Sequence, residues 1–268
     1  MNDNNMNDYN LHKHEAFDIL QKYDVIPILI SYLMYQDPGL PGDPNYNTVL
    51  KARYSFKDFS ELLVKNNDEL IEEICDAMKA NGDVYRNLPD NTTEERVILK
   101  NKIKGDIFEI FVMFTLQYFQ HEALIGVRKG TYEQIPDDLD KGLDFFGIHN
   151  TTSQRVFGQI KYRNPFAKPE HQIAFTFTTG AKLTYSAIPR GLTIGPDTAN
   201  GILIYVCNNY ADEAMHYDFK KYIGWTGTVT DEAHRYVKII DCGYFQHMIN
   251  YENEFFWKTF SDVCKIIA

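Results

Sequence analysis

An α/β sandwich around a central mixed sheet, preceded by an α-helical N-terminal region, is the fold class this sequence predicts. Three observations carry it. Up to about residue 120, apolar residues recur at helical spacing. From Gly142 onward the pattern switches to short β-like runs separated by polar turns. Gly201-Ile202-Leu203-Ile204-Tyr205-Val206-Cys207 is a continuous apolar run, the mark of a strand buried on both faces. The division implied is a helical region over 1–99 and an α/β core over 100–268.

The elements follow in order. Residues 1–10 read as a disordered polar tail with no apolar leader segment. His14 to Gln36 has helical spacing, interrupted near Pro27. Three prolines and two glycines between Gln36 and Pro44 make a loop. Ser60 to Ala80 is amphipathic, with Leu62, Leu63, Leu70, Ile71, Ile74, Cys75 and Met78 in phase, and Asn81-Gly82-Asp83 ends it. Asn91-Thr92-Thr93-Glu94-Glu95 is a cap leading into a helix from about Glu94 to Phe119. Leu143 to Ile148 and Arg155 to Tyr162 read as a hairpin, joined by the polar turn 149–154. A helix is expected around 181–187, then the strand 201–207, a helix over 212–222, a strand over 236–241 and a final helix over 251–267.

Hydrophobic residues make up 44% of the 268 positions and charged residues 24%, a globular usage that excludes wholesale disorder. No apolar run approaches the ~20 residues of a membrane span, so no membrane partner is expected. The cysteines, Cys75, Cys207, Cys242 and Cys264, are scattered without a CxxC, which points away from structural zinc or disulfides and toward a reducing, cytoplasmic setting. The net charge is −10, unevenly spread: −9 over 1–99, +2 over 100–200 and −3 over 201–268. An acidic total does not exclude DNA binding, because phosphate contacts depend on local charge.

Three features carry chemistry. Glu109, in Ile107-Phe108-Glu109-Ile110-Phe111, is the only charged residue from Ile107 to Gln120, on a helix apolar on nearly all sides. A carboxylate there needs a partner, and a bland reading is an ion pair with Lys102 or Lys161. Asp144 interrupts the apolar strand Leu143-Asp144-Phe145-Phe146-Gly147, and alternation puts it on the face of Phe146 and Ile148. A turn cap or an edge position is its bland reading. Gln159-Ile160-Lys161 is the third: Gln159 and Lys161, two apart on a strand, share a face with the Ile160 carbonyl between them. If the two strands pair, a carboxylate, an amide oxygen, a main-chain carbonyl and an ammonium meet at one point. Oxygen ligands suit a hard cation such as Mg²⁺, and the lysine suits an attacking water or a phosphate oxygen.

Asp144, fourteen intervening residues and Gln159-Ile160-Lys161 resemble the PD-(D/E)xK nuclease superfamily. Residues 104–119 resemble its first core helix, which carries a glutamate. The run 201–207 with Asn208, and Val237-Lys238-Ile239-Ile240-Asp241, resemble the rest of the core in the Mrr-like branch. Leu143 stands where the fuller pattern has Pro, and Gln159 where others have Glu or Asp. Both departures occur in that branch. The resemblance covers about residues 100–250. It implies a restriction endonuclease-like sandwich and a Mg-dependent DNA endonuclease, with Mn²⁺ as a substitute ion. Asp144, Gln159, the Ile160 carbonyl and Glu109 would hold the metal, and Lys161 would orient and help deprotonate the attacking water. Asp140 is an extra ligand in reserve. Arg163, Lys168, Lys182 and Arg190 are the nucleic-acid-binding candidates, interleaved with aromatics. DNA is the expected partner, and self-association as a homodimer stays open. The alternative is a nuclease-fold module that binds nucleic acid or protein without cleavage.

Overall fold

The computed structural model describes residues 9–34, 56–65, 72, 75–76, 79–80, 83–89, 91–122, 125–135, 143–165, 201–209, 237–249 and 253–265. Among them the helices are α1 (Phe17–Lys22), α2 (Val25–Met34), α3 (Phe56–Lys65), α4 (Asp83–Arg86), α5 (Thr93–Tyr118), α6 (Cys242–Ile249) and α7 (Asn253–Cys264). The strands are β1 (Glu133–Gln134), β2 (Phe145–Ile148), β3 (Arg155–Lys161), β4 (Gly201–Cys207) and β5 (Val237–Ile240). Contacts divide the chain into two units. One holds Met1–Glu15 and Glu109–Asp241; the other holds Ala16–Phe108 and Cys242–Ala268. The helices expected around 181–187 and over 212–222 lie outside the described residues.

The second unit is helical. Its α1 and α2 part at Asp24, which adopts the left-handed conformation with φ 54°. The interruption expected near Pro27 therefore falls three residues earlier. Pro27 occupies the first turn of α2, where a backbone N–H has no intrahelical acceptor to lose. Helix α6 adds to the elements expected from the sequence and buries Cys242, Phe245, Met248 and Ile249 along one face. Its Phe245 stacks on Phe56 of α3 at 4.5 Å and meets Phe108 edge-on at 6.2 Å. Phe59, also on α3, lies 5.0 Å from Trp257 of α7. Burying large aromatics in this way supplies most of the apolar area that holds short helices together.

The cap at the start of α5 forms as its sequence suggests. Glu95 N–H donates to Thr92 Oγ1 (3.1 Å), while the N–H groups of Asn91 and Thr92 donate to Glu95 Oε2 (2.9 and 3.0 Å). This reciprocal arrangement satisfies backbone donors that a helix start leaves orphaned. Helix α5 then runs to Tyr118, and the boundary between the units falls within it, between Phe108 and Glu109.

The first unit is built on a mixed sheet in the order β1-β2-β3-β4-β5. The pairs β1–β2 and β2–β3 are antiparallel, and β3–β4 and β4–β5 are parallel. All seven residues of β4 are buried, as a strand covered on both faces requires. The β2–β3 hairpin closes through His149 N–H to Gln154 O (2.8 Å), with Ser153 left-handed at φ 57°. An α/β class with a mixed sheet is what the sequence predicts. No helix among the described residues is long and apolar enough to cross a membrane.

Candidate active site

The site grows from the β2–β3 hairpin of the first unit. The ladder pairs Phe145 with Gly158 and Phe146 with Phe157. Asp144 precedes β2, and its N–H donates to Gly158 O (2.8 Å), one residue off the register of those pairs. The slip turns the Asp144 side chain back along the hairpin. Its Oδ2 accepts the Ile160 N–H at 2.5 Å. Thus the carboxylate sits at the main chain between Gln159 and Lys161. Local departures from a ladder re-aim side chains in this way. Asp144 is 9% exposed and Gln159 7%, whereas Lys161 is half-buried at the end of β3. Gln159 and Lys161 pair with Tyr205 and Cys207 of β4, so both keep the alternation that puts them on one face.

The chain leaving β3 is also fixed. Asn208, after β4, accepts the Arg163 N–H through Oδ1 and donates to Arg163 O through Nδ2, both at 2.6 Å. A side chain therefore continues the β3–β4 pairing beyond Lys161. Arg163 itself is exposed. The other nucleic-acid-binding candidates, Lys168, Lys182 and Arg190, lie outside the described residues, as does Asp140.

Glu109 enters from α5. Its Oε2 lies 3.2 Å from His14 Nε2 and 3.5 Å from the donating Gln134 Nε2. The Gln134 amide is oriented by Glu15 N–H, which donates to its Oε1 at 2.8 Å. The segment carrying His14 is fastened independently. Gln117 Nε2 donates to Tyr9 O, and Asn10 Nδ2 donates to Gly130 O, both at 2.5 Å. Gly130 adopts φ 75°, a conformation that favours glycine, and its N–H donates to Gln117 Oε1 at 2.8 Å. Tyr9, 2% exposed, lies 4.8 Å from Phe114. Tyr9 and Asn10 are accordingly packed structure, where the composition of 1–10 suggests a disordered tail. One aromatic ring and one amide suffice to anchor them.

Tyr132 lies in the field of both carboxylates. Its ring stacks on Phe145 at 4.8 Å and is fully buried. Burial pushes its phenol well above the ordinary range, and the negative charges of Glu109 and Asp144 push it further. Both acids thus act on one buried hydroxyl. The sign of the pH effect follows. The folded phenol keeps its proton where an unfolded tyrosine, with pKa about 10, gives it up, so this contribution to stability is lost as pH rises past about 10. In chemical unfolding between pH 9 and 11, wild type is expected to lose stability more steeply than Tyr132→Phe. The difference approaches about 1.4 kcal/mol per pH unit at most, and equal slopes would contradict the placement of the phenol.

His14, Gln134 and Tyr132 carry no signal in the sequence. His14 sits in Leu11-His12-Lys13-His14-Glu15, 95 positions before its partner. Asp106 and Lys102, one and two turns before Glu109, belong to the helical unit. There Asp106 accepts from Tyr85 Oη (2.6 Å) and pairs with Lys102 (2.8 Å). His14 and Glu109 nonetheless put an imidazole nitrogen beside a carboxylate oxygen, two donor types that transition metals accept. Compared with known proteins, the chain matches no family model, no curated protein and no solved structure.

Proposed function

We propose that this chain is a metal-dependent DNA endonuclease with a restriction endonuclease-like core, hydrolysing phosphodiester bonds at a site made by Glu109, Asp144, Gln159 and Lys161. The observation that carries the reading is the Asp144 carboxylate held on the main chain of Ile160, between Gln159 and Lys161. Glu109 is consistent with it, because its charge and that of Asp144 both act on the buried Tyr132 phenol. The donors fit a hard divalent cation: two carboxylates, an amide oxygen and a main-chain carbonyl are oxygen ligands. Asp144, Glu109, Gln159 and the Ile160 carbonyl would hold Mg²⁺ or Mn²⁺. When bound, such an ion polarises the scissile phosphate and acidifies water.

The chain's own groups do the rest. Asp144, held by the Ile160 N–H, presents its carboxylate at the end of the hairpin. Lys161 shares its strand face and can align the attacking water or bind a non-bridging phosphate oxygen. Water adds to phosphorus as the bond to the leaving oxygen breaks, and the proton released from water ends on that oxygen. Arg163, exposed just beyond Lys161, suits a neighbouring phosphate.

The test is incubation of the full chain with supercoiled plasmid and Mg²⁺ or Mn²⁺. Nicked or linear product is expected, with none in chelator. Lys161→Ala should slow cleavage by ~10²-fold or more, as loss of one preorganised charged contact to the reacting groups does. DNA retained without cleavage under every metal would instead identify a binding module.

A further inference from the structure

We propose that His14 is a nitrogen ligand beside Glu109, which makes the metal site selective for a transition-metal dication such as Mn²⁺ over Mg²⁺. The inference rests on the nuclease reading only for the place of the metal in a reaction; the metal site itself stands on its own geometry. Cis ligands on a six-coordinate ion with bonds of ~2.1 Å stand ~3 Å apart. His14 Nε2 and Glu109 Oε2 stand 3.2 Å apart. A neutral imidazole can carry its proton on Nδ1 and turn the Nε2 lone pair toward an ion.

The His14 side chain is 1% exposed and the Glu109 side chain 22%, so one ligand is sheltered while the other keeps access to solvent. The segment is already held by Tyr9, Asn10 and Glu15 through bonds that do not involve the imidazole. Gln134, donating to Glu109 Oε2, fixes the carboxylate from the other side. Ligand chemistry then decides the ion. Mg²⁺ demands oxygen and gives up its waters reluctantly, whereas imidazole nitrogen suits transition metals.

The experiment measures metal binding directly, without activity. Full-length wild type and His14→Gln are titrated with Mn²⁺, following the electron paramagnetic resonance signal of the free aqueous ion, then challenged with Mg²⁺. Wild type is expected to hold Mn²⁺ against at least ~10-fold more Mg²⁺. His14→Gln should bind Mn²⁺ ~10- to 100-fold more weakly. Spin-echo spectra of the bound ion should carry nitrogen modulation in wild type that the variant lacks. Wild type binding both ions equally, or lacking nitrogen modulation, overturns the proposal, and neither readout depends on the variant folding. Mn²⁺ binding that is unchanged in a folded His14→Gln overturns it too. Failure of plasmid cleavage with His14-dependent Mn²⁺ binding intact rejects the nuclease reading alone and leaves this inference standing.

Discussion

Asp144→Asn is expected to slow plasmid cleavage by about 10²- to 10³-fold while leaving the protein folded. The asparagine keeps an oxygen where Asp144 Oδ2 accepts the Ile160 N–H, so the hairpin loses no hydrogen bond. What disappears is the negative charge, which under the proposed mechanism positions a cation at the reacting phosphate. Removing one preorganised electrostatic contact of this kind costs about 10²- to 10³-fold in rate. Asp144→Ala is a different experiment. It leaves the buried Ile160 N–H without this acceptor, at about 1–3 kcal/mol, so its thermal midpoint should fall below that of the Asn variant. Cleavage rates on plasmid and circular dichroism melts of the three proteins separate charge from scaffold. An Asn variant that cuts at the wild-type rate would sink the proposed role of Asp144.

Legibility in the sequence followed the range of the interaction. The strand over 201–207 was readable because seven apolar residues in a row leave no polar face, and the structure buries every one. The start of α5 was readable because Thr92 and Glu95 are three apart, and capping acts over that distance. Prolines misled at Pro27, since the first turn of a helix tolerates what its interior does not. Two residues cannot display a period, so β1 was invisible, although Gln134 on it orients Glu109. The meeting of His14 with Glu109 depends on chain routing across 95 positions, and no local pattern encodes it. Packing of α6 and α7 with residues 16–108 is of the same kind. Burial of Phe245 against Phe56 is a consequence of topology, and periodicity reports only that each has an apolar side.

Gly158→Ala is expected to be among the most damaging single-methyl additions in the sheet, and to impair the site through the backbone. A Cβ at Gly158 would overlap the Ile204 carbonyl oxygen of the neighbouring strand β4 and fall 2.8–2.9 Å from the Phe145 ring. The ring could in principle turn, but it is stacked on Tyr132 at 4.8 Å. The carbonyl belongs to a fully buried strand paired on both sides. Neither neighbour yields cheaply, so β3 must move away from β4. Overpacking of this kind typically costs about 1–3 kcal/mol, and more where backbone is the obstacle. The same movement reaches the proposed site, because Gly158 O accepts the Asp144 N–H and Gln159 is the next residue. Denaturant unfolding should show the stability loss. Cleavage measured well below the variant's melting temperature should also fall, since displaced ligands lose rate even in a folded protein. An alanine variant with wild-type stability would mean that β3 and β4 lie further apart at Gly158 than their register requires.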